Sequence, residues 1–138
     1  MADLIFDKLA YHISVGNIDL ENDSLKIALV KDTYTPDSTD EVWSDISDDE
    51  CDATGYTAGG KAIENVAVTE AAGVTTVDAD DPALWASLTG TGIKYAVVYD
   101  TTYLNTLVCL FELSQVRAPS AENLALTYHA DGLFDMAA

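Results

Sequence analysis

Positive charge is scarce in this sequence. Six Lys and Arg face 24 Asp and Glu, for a formal net charge of −18. Nucleic-acid binders draw their affinity from Lys and Arg neutralising phosphates, so this balance argues against that class. It argues equally against anionic membrane surfaces, which attract basic segments. Histidine and cysteine are nearly as rare. His12 and His129 are the only histidines, and no i, i+3 or i, i+4 spacing joins either to other zinc ligands. Cys51 and Cys109 leave one disulfide open but make no framework; they read as reduced thiols of a protein made in a cytosol. The longest apolar runs, such as Tyr95 to Tyr99 and Leu107 to Phe111, have strand length rather than bilayer length. The N-terminus carries Asp3 and Asp7 without a basic stretch, unlike a secretion signal. No G-x-S-x-G elbow marks a serine hydrolase. A carboxylate pair for glycoside hydrolysis is available among 24 acids by chance alone.

What is present describes a folded domain. A chain of 138 residues, 49% of them hydrophobic, suits one unit (1–138) that buries its own core. The acidic surface favours solubility and implies self-repulsion, which a partner bearing basic patches would relieve.

Along the chain, Ile5, Leu9 and Ile13 recur at i, i+4, i+8 and predict a short amphipathic helix over about 3–15, capped by Asp3 and ended by Gly16. From about 24 the pattern turns to β. Strands are expected at 25–31, 61–70, 74–79, 93–99, 107–113 and 124–129, with Leu133-Phe134 closing the sheet. The stretch from Ile93 to Tyr99 is the strongest, rich in β-branched and aromatic residues, and a hairpin through Asp100 to Asn105 joins it to the next strand. This spacing predicts a mainly β fold, an antiparallel sandwich or barrel with one N-terminal helix. Residues 32–60 have no sustained period. They hold nine of the 24 acids and no Lys or Arg. So long a connection is functional or ordered by a partner. Its Tyr34, Val42, Trp43, Ile46 and Tyr56 want burial, either over the sandwich or on another subunit.

Gly55-Tyr56-Thr57-Ala58-Gly59-Gly60-Lys61 has the G-x-x-x-x-G-K spacing of a phosphate-binding loop. It lacks the Ser or Thr that follows the Lys to reach Mg²⁺, having Ala62, and a strand pattern follows where a helix is required. It reads as a Gly-rich turn into a strand, and Lys61→Ala is expected to leave nucleotide assays unchanged. The acidic clusters Asp45, Asp48, Asp49, Glu50, Asp52 and Asp78, Asp80, Asp81 suit a hard cation in ligand type but lack the order of a calcium loop. No metal or cofactor is assigned. Trp43, Trp85, Tyr99 and Tyr103 could line a sugar groove, although Trp85 reads better as a plug of the core.

Four segments in order carry a family resemblance. They are Leu25-Lys26-Ile27-Ala28-Leu29-Val30 running on to Tyr34-Thr35-Pro36-Asp37; Trp43-Ser44-Asp45-Ile46; Gly55-Tyr56-Thr57-Ala58-Gly59-Gly60; and Asp78-Ala79-Asp80-Asp81-Pro82 with Trp85. With Tyr95-Ala96-Val97-Val98-Tyr99, they resemble a family of small structural proteins of tailed bacteriophages, over about residues 4–134. Thr101 to Leu126 falls outside the pattern. The resemblance implies a non-enzymatic virion component, first of all a decoration (cement) protein on the outside of the head. A neck, collar or tail adaptor is the alternative, and a carbohydrate- or host-binding module is the alternative of another class. The implied partners are the major capsid protein or neighbouring virion proteins and further copies of the chain. Tyr34, Trp43, Ile46, Tyr56 and Tyr103 are the candidate interface residues, so Tyr34→Ala and Trp43→Ala are expected to harm assembly more than folding.

Overall fold

The computed structural model describes residues 1–137. In chain order its main elements are β1 (Leu4–Ile5), α1 (Leu9–Ser14), β2 (Leu25–Lys31), β3 (Lys61–Ala62), β4 (Ala67–Ala71), β5 (Val74–Asp78), β6 (Trp85–Thr89), β7 (Ile93–Asp100), β8 (Thr106–Arg117), β9 (Ser120–Leu124) and β10 (Phe134–Ala137). They form three antiparallel sheets, ordered β1-β8-β7-β2-β3, β10-β5-β4 and β6-β9, none of them closed into a barrel. The fold is mainly β with one short helix.

The five-stranded sheet is built on β2 and β7, whose apolar runs are almost unbroken. Such strands must be covered on both faces, because successive side chains point opposite ways. They pair with Ile27 opposite Val98 and Leu29 opposite Ala96. On one face, Ile27, Leu29, Ala96 and Val98 join a core with Leu9, Val77, Trp85, Leu88, Leu133 and Phe134. On the other, Ala28, Val30, Val97 and Tyr99 meet Phe6, Tyr34 and Ile46. A bulge in β8, where Val98 faces Cys109 but Tyr99 faces Leu107, lets consecutive Val108 and Cys109 both join the first core.

Several elements differ from the sequence expectation, each for a tertiary reason. The N-terminal helix is confined to Leu9–Ser14. Leu4 and Ile5 instead pair with Leu110 and Cys109 as an edge strand. Asp3 therefore does not cap the helix; its carboxylate accepts the Glu112 N–H at 2.7 Å and ties that strand to β8. The run 61–70 breaks into β3, which pairs with β2, and β4, which pairs with β5. Trp85–Thr89 is a strand not among those expected, and its partner is Ser120–Leu124, so the expected strand at 124–129 lies earlier in the chain. Residues 32–60 are a folded segment with 3₁₀ turns at Trp43–Asp45 and Ser47–Asp49, and they supply the cover of the second sheet face.

Gly60 fixes where this segment rejoins the sheet. Its φ is +81°, and a Cβ there would lie 2.7 Å from Ala28 Cα and collide with the Ile27 carbonyl oxygen. Gly60→Ala is expected to cost on the order of 3 kcal/mol or more, from backbone strain plus overpacking. Gly16, at φ +78° with nothing near its Cβ position, is the control, at about 1 kcal/mol for the same change. Urea unfolding of both variants checks the difference.

Candidate functional site

Tyr34, Trp43 and Gly59 each reach the strand Tyr95 to Tyr99, and the Glu50 carboxylate ties down the Gly-rich turn beside it. Glu50 Oε1 accepts the Tyr56 hydroxyl at 2.8 Å and the Gly59 N–H at 2.6 Å. The Tyr56 hydroxyl in turn accepts the Leu29 N–H at 3.1 Å. The Tyr99 hydroxyl donates to the Gly59 carbonyl at 2.6 Å. One carboxylate thus joins the end of the acidic segment, the Gly-rich turn and, through Tyr56, the central strand β2. Hydrogen bonds to a charged acceptor are the stronger kind. Burial first, then the hydrogen bond to Glu50 at Tyr56 and the Glu50 charge at Tyr99, raises the pKa of both tyrosines, so both hydroxyls remain protonated donors at neutral pH.

The tyrosine of Tyr34-Thr35-Pro36-Asp37 closes its own turn. Its hydroxyl donates to Asp40 at 2.7 Å and accepts the Asp37 N–H at 3.2 Å. Its ring meets Tyr95 edge-on at 6.0 Å, and Trp43 stacks on Tyr99 at 4.8 Å with 10° between planes. Asp45 accepts the Glu41 and Val42 N–H groups at 2.9 and 3.0 Å, which start the turn carrying Trp43. These bonds, that from Val42 first, hold the Asp45 carboxyl below the ordinary carboxylate range.

The five candidate interface residues are engaged within the chain. Tyr34 and Ile46 lie in the core at 7% and 1% exposure. Trp43 and Tyr56 are half-buried against Tyr99 and Glu50, and Tyr103 is half-buried against His12, with ring centroids 5.2 Å apart. The segment satisfies its apolar residues on its own sheet, and burying a side chain such as Ile46 contributes about 2 kcal/mol to folding. The expectation that Tyr34→Ala acts on assembly before folding is therefore reversed, because the change empties a core position. Of the aromatic set considered for a sugar groove, Trp85 is 2% exposed and belongs to the core.

The phosphate-loop spacing has a different use here. The Gly59 N–H is taken by the protein's own Glu50 carboxylate, Lys61 Nζ sits 5.6 Å from the Trp85 ring centroid, and β3 follows in place of a helix. The acids are dispersed rather than convergent. Asp49 accepts the Thr33 hydroxyl, Asp52 pairs with Lys31 at 3.4 Å, Asp80 accepts from Asn65 at 2.6 Å, and Asp81 accepts the Tyr128 N–H at 2.7 Å. Among the described residues, no three of His, Cys, Asp and Glu gather as a metal-holding group.

No protein-family model matches the chain, and comparison with curated proteins and with solved structures finds none similar to it.

The sequence gives no sign of one buried carboxyl. Asp100 closes β7 and reads as an ordinary turn acid, yet it is fully buried. Its Oδ1 accepts the Thr102 and Tyr103 N–H groups at 2.8 and 3.0 Å, while Oδ2 finds no donor among the described residues. Burial first, then the adjoining Asp23 carboxyl, pushes the Asp100 pKa up to about 6. The folded chain thus holds a proton that the unfolded chain releases near 3.8. Stability from this group is complete below about pH 3.8 and is lost as pH rises through about 6. In Asp100→Asn the amide donates to Asp23 without needing a proton. The variant is expected to melt on the order of 5 °C above the parent at about pH 7.5, with the gap closing toward about pH 4. Melting curves across that range check it; parallel pH profiles would contradict the assignment.

Proposed function

We propose that this chain is a non-enzymatic structural protein of a tailed-bacteriophage virion, and within that class a decoration protein bound to the outside of the head. The observation that carries the reading is the convergence of the phage-like segments. Tyr34, Trp43 and Gly59, one from each of three segments, contact the fourth, Tyr95 to Tyr99, on the central sheet. The pattern reads as a folding signature, in which these residues hold a segment onto a sheet. That is what a scaffold with a load-carrying role requires.

The remaining features suit the same role. Net charge of −18 keeps free subunits apart and steers them toward basic patches on a shell. Repeated weak contacts over a lattice, or several copies joined in an oligomer, convert modest affinity into avidity. On this reading the chain is made in the host cytoplasm and joins the virion, with the major capsid protein as its main partner. Cryo-electron microscopy of the particle carrying the chain tests this. Copies spread over the whole shell are expected. Copies at a single vertex or in the tail would make the protein an adaptor, and absence from the particle would remove the virion reading.

A further inference from the structure

The small sheet β10-β5-β4 leaves the core half-covered. Val77 and Phe134 on its inner face are fully buried, but Val68, Thr75 and Met136, further out on that face, line an open groove of about 670 Å³. The opposite wall of the groove is apolar too, formed by Ile13 of α1 with Ile18 and Leu20 of the turn after it. Asp19 and Glu21 stand on the rim, and among the described residues no Lys or Arg lines the groove.

The groove runs beside an unpaired strand edge. β4 is the outer strand of its sheet, and all five of its residues are exposed. The Leu133 N–H donates to the Val77 carbonyl at 2.7 Å, so the backbone groups of Val77 face β10. By antiparallel alternation, Val68 opposite Val77, and Glu70 two residues on, point their N–H and C=O groups away from β5. Among the described residues the Val68 N–H is met only by the Glu21 carboxylate, at 3.3 Å. An open edge next to an apolar groove is the geometry for strand addition, in which main-chain bonds supply affinity and alternate side chains fill the groove.

We propose that β4 and this groove receive an extended segment of a different protein, with apolar residues at alternate positions and Lys or Arg between or beside them. Charge complementarity selects that occupant. A second copy of the chain would bring net charge of −18 against an acidic rim. A basic strand would instead take over the Val68 N–H and leave Glu21 free to pair with one of its cations. Within the virion reading, on which only the identity of the partner rests, the segment is an arm of the coat protein.

The test uses the full chain and needs no particle. A ten-residue peptide alternating lysine and valine is titrated into isotope-labelled protein, with a glutamate–valine peptide as control. Amide shifts at Val68, Glu70, Ile18 and Leu20 are expected with the lysine peptide alone, with affinity falling about tenfold between low and high salt. Val68→Pro removes the outward N–H without touching the β4–β5 ladder, and Glu21→Lys reverses the rim. Each is expected to weaken binding about tenfold or more, with a melting temperature near that of the parent. Absence of shifts at these amides at millimolar peptide, equal shifts with both peptides, or full binding by Val68→Pro would overturn the proposal while leaving the virion reading standing. Absence of the chain from particles would remove only the name of the partner.

Discussion

A sheet that is apolar on both faces needs two covers, and this chain has one set of small sheets to offer. β5, β6, β9 and β10, together with α1, contribute to the cover of the first face. Phe6 and the acidic segment 32–60 cover the second. The placement of Glu50, Tyr56 and Gly60 follows from that requirement. The segment leaves β2 at Lys31 and must return to pair with the same strand at Ile27, so both ends are tied to β2. Between them it crosses the sheet, placing Tyr34 and Ile46 in one core and Cys51 and Ala53 in the other.

Charge and burial are reconciled within the same segment. Its acids do not crowd together. Asp45 starts a turn, Glu50 gathers two donors, and Asp52 meets a lysine, while the apolar side chains between them turn inward. The Gly-rich turn shows how close structural and ligand-binding uses of one pattern can be. Amides that would cradle a phosphate elsewhere need an anion, and Glu50 supplies one from within the chain. The loop is therefore closed by its own carboxylate. An open edge remains at β4, the outer strand of the β10-β5-β4 sheet.

The strong strands were legible in the sequence because their signal is local. β-branched and aromatic runs at Leu25 to Lys31 and Ile93 to Tyr99 need both faces buried wherever they stand, and the Asp100–Asn105 hairpin joins neighbours. Weaker elements were set by distant partners. Leu4 and Ile5 carry a helical stripe but are claimed by the edge of β8, and Ser120–Leu124 has little strand character until Trp85–Thr89 lies beside it. The acidic segment has no period because it is neither helix nor strand, so its burial could be read only from its aromatic content. The choice between its own sheet and another subunit was open in the sequence, and it turns on Glu50, whose role depends on Gly59 and Tyr56 folding back to it. Asp100 left no trace, since nothing local distinguishes a buried carboxyl from a solvated one.

The central claim is that the acidic segment is a structural wall of the free protein rather than an arm awaiting a partner. Native-state hydrogen exchange on the isolated chain tests it most directly. The Cys51 N–H donates to the Leu29 carbonyl and the Gly59 N–H to Glu50. If the segment is a wall, both amides exchange only through the global opening that releases the amides of β2 and β7. Exchange at Cys51 and Gly59 orders of magnitude faster than in those strands would contradict the account and show the segment opening while the sheet stays folded.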